Sequence, residues 1–321
     1  MLKKLFGSKK ESVDVQPNVG HIAEDGERPQ TQSDAVKKKL QAKFEEARLK
    51  KLKIKRKEAK ETQEYLRKKH GTDEDVRIAE DIRESLINAR VKFLYQPIFN
   101  IHDKKPVFHE VFTHMIDQAG RATEPNSYLP IAGGFGLSTW LDEVVFTTLL
   151  AKQQDTGQNF AINLTGATLS KNEKFFEQLM NSIMETGVSP RTLLFELKFH
   201  DIDNDGLAIK FIKEAVEMKF RFVLDYVGGG AKVIKMIQKL GFSYIKVDSL
   251  QFLDFATNEN VSQNLKDIVS TAQESGIKII MERVESQEMY DFCKEIGFDY
   301  IQGYYTARPA ESLQMKMVCE N

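Results

Sequence analysis

From about residue 91 onward, short runs of apolar residues alternate with longer stretches in which apolar residues recur every three or four positions. The short runs are typical of β-strands and the longer stretches of amphipathic helices. The eight predicted strands begin at Phe93, Val107, Phe160, Leu193, Phe220, Tyr244, Lys278 and Tyr300. Helices are predicted between most of them, for example over residues 171–186, 206–218, 231–240, 261–275 and 286–296.

The order of these elements predicts the fold. Only a short polar stretch, NIHDKK, separates the first two strands, which indicates a hairpin and therefore an antiparallel pair. Strands that alternate with helices form parallel sheets, and ~220 residues is within the size of a β/α barrel. We therefore expect an α/β fold, a modified TIM-like β/α barrel with an antiparallel first strand, over residues 91–312.

The flanking segments differ from the barrel region in composition. Residues 1–33 are polar and lack apolar periodicity, which predicts a disordered N-terminal segment. Residues 34–70 consist largely of good helix formers and predict one long basic helix. Residues 71–90 are expected to be a linker or a further helix, and residues 313–321 a C-terminal tail.

Positive charge is concentrated in the predicted basic helix. Residues 37–69 contain 15 Lys or Arg against 5 Glu, whereas the whole chain has a net charge of −1. This segment fits a solvated helix, a protein-binding helix or a helix that binds nucleic acid. Because aromatic residues are sparse in it, stacking on bases is disfavoured.

Composition narrows the cellular setting. The chain has two cysteines and no CxxC motif, which fits a reducing cytoplasm. It has neither an apolar run of the ~20 residues that a membrane span needs nor a secretory signal. Residues 1–10, MLKKLFGSKK, fit either a frayed basic terminus or a short helix in weak contact with a membrane surface. A cytoplasmic protein is expected, with peripheral contact to the inner membrane as the alternative.

Polar side chains recur where the predicted strands end. Active sites of β/α barrels lie at the carboxyl ends of their strands, so these residues are expected to converge. They are Asn163, Glu196, Asp225, Lys246 with Asp248, Glu282 and Gln302, and Glu110 lies within the second strand. Carboxylate and amide oxygens suit Mg²⁺ or Mn²⁺, and a lysine among them can orient or deprotonate a water. This combination fits attack on a phosphodiester.

Short motifs along the same region give a family resemblance. They are YQPI (95–98), EVF (110–112), SYLPIAGGFGL (127–137), NLT (163–165), FEL (195–197), LDYVGGG (224–230), YIKVD (244–248), ERVE (282–285) and QGYYTARP (302–309). In this order, over about residues 90–312, they resemble the EAL-domain family. That family hydrolyses or binds the bacterial second messenger cyclic di-GMP on a modified β/α barrel.

The resemblance implies a role for each matched residue. Glu110, Asn163, Glu196 and Asp225 would be the ligands of one Mg²⁺ or Mn²⁺ ion. Lys246 would be the catalytic residue that activates water, with Glu282 in support. Gln96, His114, Gln302 and Gly303 would lie against the nucleotide.

Several positions depart from the family pattern. The arginine of EAL-x-Arg is His114, the second acid of the DDFGTG segment is Tyr226, and the last glutamate of the ELTE segment is Phe199. The glutamate of the PLAE segment is Gly133, and the glycine of EGVE is Arg283.

Losing one key electrostatic contact typically costs ~10²–10³ in rate. We therefore expect at most one bound metal ion, vestigial roles for Lys246 and Glu282, and a catalytically impaired signalling or adaptor protein. It would act through a protein partner, with or without binding cyclic di-GMP, and any binding of this nucleotide is expected to be weak or independent of metal. Two alternatives remain open: an active cyclic di-GMP phosphodiesterase, and a nucleic-acid-associated adaptor that works through the basic helix.

Overall fold

A computed structural model of the chain describes residues 72–88, 90–171, 173–202, 206–226, 231–252 and 258–317. The predictions for residues 1–33 and 34–70, including contacts through 1–10 and 37–69, lie outside these ranges. Among the described residues, the helices are too short or too polar to cross a membrane.

The described residues form nine strands and ten α-helices. The strands are β1 (Val91–Asn100), β2 (Pro106–Ile116), β3 (Ala122–Thr123), β4 (Phe160–Asn163), β5 (Leu193–Lys198), β6 (Arg221–Tyr226), β7 (Tyr244–Asp248), β8 (Lys278–Glu282) and β9 (Tyr300–Ile301). The helices are α1 (Asp73–Ile87), α2 (Pro125–Gly134), α3 (Ser138–Thr156), α4 (Gly166–Lys171), α5 (Glu173–Thr186), α6 (Phe199–Ile202), α7 (Gly206–Glu217), α8 (Ala231–Leu240), α9 (Glu259–Glu274) and α10 (Gln287–Ile296).

The sheet closes on itself. Its strand order is β1-β9-β8-β7-β6-β5-β4-β2-β3, and a further pairing of β1 with β2 joins its ends into an eight-stranded barrel. Strand β1 is antiparallel to both of its neighbours, β2 and β9, whereas the pairs from β2–β4 round to β8–β9 are parallel. The predicted barrel with an antiparallel first strand is therefore confirmed.

Two details differ from the sequence prediction. The helical region predicted to start at residue 171 begins earlier, with the short helix α4. The two-residue strand β3 was not predicted; it pairs with the end of β2 and lies outside the closed barrel. Its sequence is too short to show the period of two that identifies a strand.

Helix α1 precedes the barrel and packs against it. The Thr72 hydroxyl oxygen accepts a hydrogen bond from the backbone N–H of Asp75 and so caps the helix N-terminus. The Asp75 carboxylate in turn accepts a hydrogen bond from the backbone N–H of Thr72. Such a capping box satisfies backbone donors that the first helical turn leaves without partners. Ala79, Ile82 and Leu86 form its buried stripe and join the main core.

The barrel interior is layered because inward-facing residues of a strand recur every second position. One layer is apolar and forms a separate small cluster: Ile98, Phe108, Ala161, Leu194, Val223, Tyr244 and Ile280. Two residues along each strand toward the opposite mouth, the inward position is polar. The barrel therefore carries a polar layer on an apolar floor.

Residues after β9 are held along the hairpin. Tyr95 and Ala310 exchange two backbone hydrogen bonds, and Lys92 pairs with Glu311 at 2.6 Å. The buried ring of His109 hydrogen-bonds to the carbonyl of Gln314 at 2.9 Å. These contacts tie the segment after β9 to both strands of the hairpin.

Candidate functional site

Each of the eight barrel strands brings one polar residue to the polar layer. These are Gln96, Glu110, Asn163, Glu196, Asp225, Lys246, Glu282 and, directly after β9, Gln302. Each lies two positions from the strand's residue in the apolar layer, or from Tyr300 in β9, so the pleat aims them into the same space. The polar residues at the strand ends thus converge in one layer of the barrel, as predicted, and this layer forms the candidate site.

Lys246 is the centre of this layer. Its side chain is 1% exposed, and its Nζ lies 2.7 Å from Oε2 of Glu110. The same ammonium lies 2.7 and 2.8 Å from the two carboxylate oxygens of Glu196. Glu282 is further away, at 3.9 Å. The buried Lys246 ammonium therefore bridges two buried carboxylates, Glu110 on β2 and Glu196 on β5.

A chain of amide hydrogen bonds connects this ion cluster to the C-terminal segment. Gln302 Nε2 donates to Oε2 of Glu110 at 2.7 Å and to Oε1 of Gln96 at 3.1 Å. Gln96 Nε2 in turn donates to the carbonyl of Ala307 at 2.9 Å. The two predicted ligand-binding glutamines are thus brought together, and the contact to Ala307 was not predicted.

The remaining predicted residues lie nearer the open mouth. Asn163 is exposed, and its Nδ2 is 3.4 Å from Oε1 of Glu110, at the long end of a hydrogen bond. Asp225 is half-buried and close enough to Glu282 to act on it electrostatically. Asp225 is therefore at the edge of the cluster that Lys246 organises.

The positive charge of Lys246 stabilises the ionised form of Glu110 more than that of the other carboxyl groups in the layer. Burial alone would raise the pKa of Glu110, but the charge of Lys246 and hydrogen bonds from Lys246, Gln302 and Asn163 outweigh it and hold that pKa below its ordinary value. Burial would likewise lower the pKa of Lys246, but the charges of Glu110, Glu196 and Glu282 raise it above its ordinary value. Lys246 therefore stays an ammonium and is a poor acceptor for a proton from water.

Nearby positive charge is not sufficient to offset the burial of the Glu196 and Glu282 carboxyl groups. Burial, reinforced by the charge of Glu110, raises the pKa of Glu196 well above its ordinary value despite the contact with Lys246. Burial also raises the pKa of Glu282 to about 7, with contributions from Glu110, Asp225 and Asp248. Oε1 of the buried Gln302 accepts no hydrogen bond. The layer is therefore rich in acceptors and in carboxyl groups that favour a proton or a cation.

The donor set is chemically suited to an oxygen-binding cation, but its arrangement is suited to an ammonium. No three carboxylate, histidine or cysteine side chains within the described ranges are placed to hold a metal ion. The Lys246 ammonium lies between Glu110 and Glu196, and amide N–H groups of Gln302 and Asn163 point at Glu110. As arranged, these residues do not fit a divalent ion.

A family model described as EAL domain matches residues 79–309, most of the chain and all of the barrel. The chain belongs to the EAL-domain family. Among curated relatives, it is 24% identical over 244 residues to the probable cyclic di-GMP phosphodiesterase PdeA of Escherichia coli (strain K12), covering 74% of this chain and 33% of that protein. It is 27% identical to the cyclic di-GMP phosphodiesterase PdeB of Shewanella oneidensis, covering 73% and 28%. The chain thus spans about a third of the length of these relatives.

Solved EAL structures show the same fold. The crystal structure of the FimX EAL domain from Pseudomonas aeruginosa bound to c-di-GMP has a TM-score of 0.69 and 18% identity, covering 74% of this chain and 98% of that one. The PaMucR phosphodiesterase in complex with c-di-GMP has a TM-score of 0.66 and 20% identity, covering 73% and 97%.

The positions that depart from the EAL pattern lie around the polar layer rather than within it. His114 is half-buried on β2, four residues beyond Glu110, so it lies above the carboxylates on the same face. Phe199 begins α6 and packs against the main core. Gly133 is exposed on α2, and an added Cβ there would meet only Oγ of Ser138, at 3.9 Å. Position 226 ends β6.

Gly303, the other predicted ligand-binding residue, has a packing role. A Cβ at this position would lie 2.1 Å from the carbonyl oxygen and 2.3 Å from the nitrogen of Val284. The φ of Gly303 is not in the left-handed region, so the glycine is required by this close approach and not by its conformation. The backbone that follows Glu282 is thereby pressed against the backbone that follows Gln302.

Arg283 occupies a strained position of the EAL rim. Its φ is +57°, a left-handed value that costs a residue with a side chain roughly 1–2 kcal/mol. Its Nε lies 3.6 Å from Oδ2 of Asp248, but the arginine side chain is 55% exposed. An ion pair this exposed contributes about 0–1 kcal/mol, so it does not offset the strain. Fold stability alone therefore favours the glycine of the family pattern here.

Asp142 is a buried carboxylate that the sequence analysis missed. It lies in α3, and its Oδ2 accepts hydrogen bonds from the backbone N–H and hydroxyl of Thr165 and from the hydroxyl of Thr168. Thr165 comes two residues after Asn163, so Asp142 holds the loop that carries this predicted ligand. A lone aspartate within the apolar stretch Leu141–Leu150 is the signal that was available.

Replacing Asp142 by asparagine is expected to remove a pH dependence of stability. Burial raises the pKa of Asp142 to about 6, against hydrogen bonds from the two threonines. A raised pKa means that the contribution of Asp142 is fully present below about pH 4 and is lost as the pH rises through 6, by roughly 3 kcal/mol. Urea unfolding at pH 4.5 and 7.5 should therefore show Asp142→Asn gaining relative to the parent chain at the higher pH. The exposed Asp291→Asn is the control, and equal behaviour of both variants would contradict the prediction.

Proposed function

We propose that this EAL-domain protein is a catalytically impaired signalling protein that binds cyclic di-GMP, hydrolyses it negligibly and acts through a protein partner. The observation that supports it most directly is the position of the Lys246 ammonium. It lies within hydrogen-bonding distance of both Glu110 and Glu196, two of the residues that the family resemblance assigns to a metal ion.

Several observations support retained nucleotide binding. The two glutamines that would face the nucleotide, Gln96 and Gln302, are linked to each other and to Glu110. Solved EAL structures with the same fold have been determined in complex with cyclic di-GMP. The polar layer also offers Oε1 of Gln302, a buried acceptor that makes no hydrogen bond within the protein. These features favour a pocket that still takes the ligand of its family.

Other features support weak catalysis. Two-metal sites stabilise both the attacking and the leaving oxygen of a phosphoryl transfer, and an acid of the second set is replaced here by Tyr226. A phosphate-binding arginine is replaced by His114, which has no planar fork for bidentate contact. One divalent ion at most, Mg²⁺ or Mn²⁺, would bind Glu110, Asn163, Glu196 and Asp225, and it would first have to displace Lys246. Lys246 and Glu282 would then be vestigial catalytic residues.

A signalling role follows from this combination. A ligand that binds one arrangement of the rim more tightly shifts a partner-binding equilibrium by its difference in affinity. The contact surface would be the barrel rim or the basic segment at 37–69. Phosphodiester hydrolysis is not needed for such a switch.

The decisive test compares turnover before and after the lost groups are restored. We expect the purified full chain to hydrolyse cyclic di-GMP negligibly with Mn²⁺ or Mg²⁺. The triple variant His114→Arg, Phe199→Glu, Tyr226→Asp should hydrolyse it at least ~10²-fold faster, since each change restores an electrostatic contact. Because Phe199 packs on the core, circular dichroism of the triple variant is needed alongside. Fast turnover by the unmodified chain would contradict the proposal.

An active phosphodiesterase is the second candidate. It is favoured by the complete retention of Glu110, Asn163, Glu196, Asp225 and Lys246, and by relatives named as phosphodiesterases. The same assay separates the two candidates, because only this one predicts fast turnover by the unmodified chain.

A nucleic-acid-associated adaptor is the third candidate, and it rests on the charge of residues 37–69. Its affinity for nucleic acid would fall steeply with salt, because binding releases counterions. Fluorescence anisotropy of labelled RNA and DNA between 50 and 200 mM salt tests it on the full chain. Binding that is absent at low salt excludes this role.

A further inference from the structure

We propose that Arg283 binds a phosphate of the nucleotide and thereby makes ligand binding by this chain independent of a divalent metal. This inference rests on the proposed function, since it concerns the same rim and the same ligand. It starts from the backbone of Arg283, which adopts a conformation that glycine accommodates without strain.

The strain at Arg283 has no local structural reason of the usual kind. Three described non-glycine residues have positive φ values. Lys104 lies in the turn between β1 and β2, and Lys219 follows the end of α7, both places where left-handed residues are common. Arg283 instead follows directly on Glu282 at the end of a barrel strand. Strained residues that the surroundings hold in place cluster at functional sites.

The surroundings do hold this residue in place. The carbonyl of Arg283 accepts a hydrogen bond from the hydroxyl of Ser249 at 2.8 Å, and Ser249 is buried. The backbone N–H of the next residue, Val284, donates to the carbonyl of Gln302, and its carbonyl accepts from the N–H of Tyr305. Gly303 also packs directly against the backbone of Val284. The conformation is therefore imposed on position 283, whatever its side chain.

The side chain of Arg283 is directed toward the barrel opening. In a regular strand it would point away from the interior, because Glu282 points inward. The left-handed backbone instead brings its Nε within 3.6 Å of Asp248, which is on the inward face of β7, two residues beyond Lys246. The Arg283 side chain is 55% exposed, so it is not buried by this ion pair and can contact a ligand.

The acidic character of the rim is a reason for a positively charged residue at position 283. Glu110, Glu196 and Glu282 share a single buried ammonium, and Asp225 and Asp248 lie close enough to Glu282 to act on it electrostatically. Acidic groups therefore outnumber cations in this layer, and an anionic phosphodiester would gain from further positive charge. The EAL arginine that contacts phosphate is His114 here. A guanidinium presents its donors in a fork that matches phosphate oxygens. Arg283 therefore supplies, at a new position, positive charge of the kind that the chain has lost elsewhere.

The test measures binding and stability of the same variants of the full chain. Cyclic di-GMP is titrated by calorimetry in EDTA and in Mg²⁺. We expect the unmodified chain to bind equally in both, and Arg283→Gln, which keeps the strain and removes the charge, to bind ~10–100-fold more weakly. Arg191→Gln, an exposed arginine just before β5 and so at the opposite end of the barrel, is the matched control and should bind normally.

Arg283→Gly gives an independent signature. It should also lose affinity, yet raise the melting temperature by about 2–4 °C because the left-handed strain is relieved. A merely structural ion pair with Asp248 would give the opposite change in melting temperature. If the unmodified chain binds and Arg283→Gln binds equally well, or if binding requires Mg²⁺, this inference is overturned and the proposed function stands. If the unmodified chain binds no cyclic di-GMP under either condition, both are overturned.

Discussion

Replacing Lys246 by methionine is expected to lower the melting temperature by about 6–20 °C at pH 8 and by much less at pH 5. Methionine keeps an unbranched side chain but leaves Glu110 and Glu196, which are 7% and 3% exposed, without their shared cation. Breaking a buried ion pair by removing one partner costs about 3–5 kcal/mol, because the remaining charge is buried and unpaired.

The pH dependence follows from the carboxylates that remain. Without Lys246, the folded-state pKa values of Glu110 and Glu196 rise above those of the unfolded chain. Raised carboxyl pKa values make stability greatest at low pH, and stability is lost as the pH rises through the folded-state values. Thermal unfolding in EDTA at pH 5, 6.5 and 8 measures this slope. Glu196→Gln in the Lys246→Met background should recover part of the loss at pH 8, since it removes one of the two buried charges.

The matched control is Lys198→Met. Lys198 is also on a barrel strand, two residues beyond Glu196, but it is exposed. A surface substitution of this kind usually changes stability by less than ~0.5 kcal/mol. If Lys246→Met destabilises no more than Lys198→Met, or equally at every pH, the ammonium is not what stabilises the layer.

The sequence predicts the polar layer well because it depends on local pattern. A strand repeats every two residues, so Leu194 and Glu196, or Tyr244 and Lys246, can be assigned to one inward face from sequence alone. The parallel order of the strands then places these faces around one axis. Short-range periodicity is therefore enough to predict the fold and the residues that form the polar layer.

The sequence does not predict how the layer is bonded. Lys246 reaches Glu110 across 136 positions and Glu196 across 50, and the contact depends on the stagger of the closed barrel. The left-handed φ of Arg283 was not predicted either. The family pattern has a glycine at this position, but a glycine can equally reflect a close approach of two backbones, as at Gly303. Asp142 was missed because its partners, Thr165 and Thr168, lie in the loop and the short helix α4 that follow the next strand.

The second large effect is expected at Gly303. Gly303→Ala should lower the stability by about 3 kcal/mol or more and the melting temperature by about 10 °C, because an added methyl group would overlap the peptide of Val284. A flexible side chain can move aside, but this contact is with backbone. Val284 N–H donates to the carbonyl of Gln302 at 3.0 Å, and its own carbonyl accepts from the N–H of Tyr305 at 3.0 Å. Val284 is therefore hydrogen-bonded to residues before and after Gly303 in the sequence, so its backbone cannot easily move away from an added methyl group.

The same substitution should open the site. Separating the two segments moves Gln302 away from Glu110 and Gln96, and moves Glu282 away from Lys246. We therefore expect Gly303→Ala either to yield no folded protein or to yield one that melts early and binds no cyclic di-GMP. Gly133→Ala is the matched control, since its added Cβ meets open space within a helix and should raise stability by up to ~1 kcal/mol. A Gly303→Ala protein that melts within about 2 °C of the parent chain would show that the Val284 backbone yields easily, and that the rim is softer than its hydrogen bonds indicate.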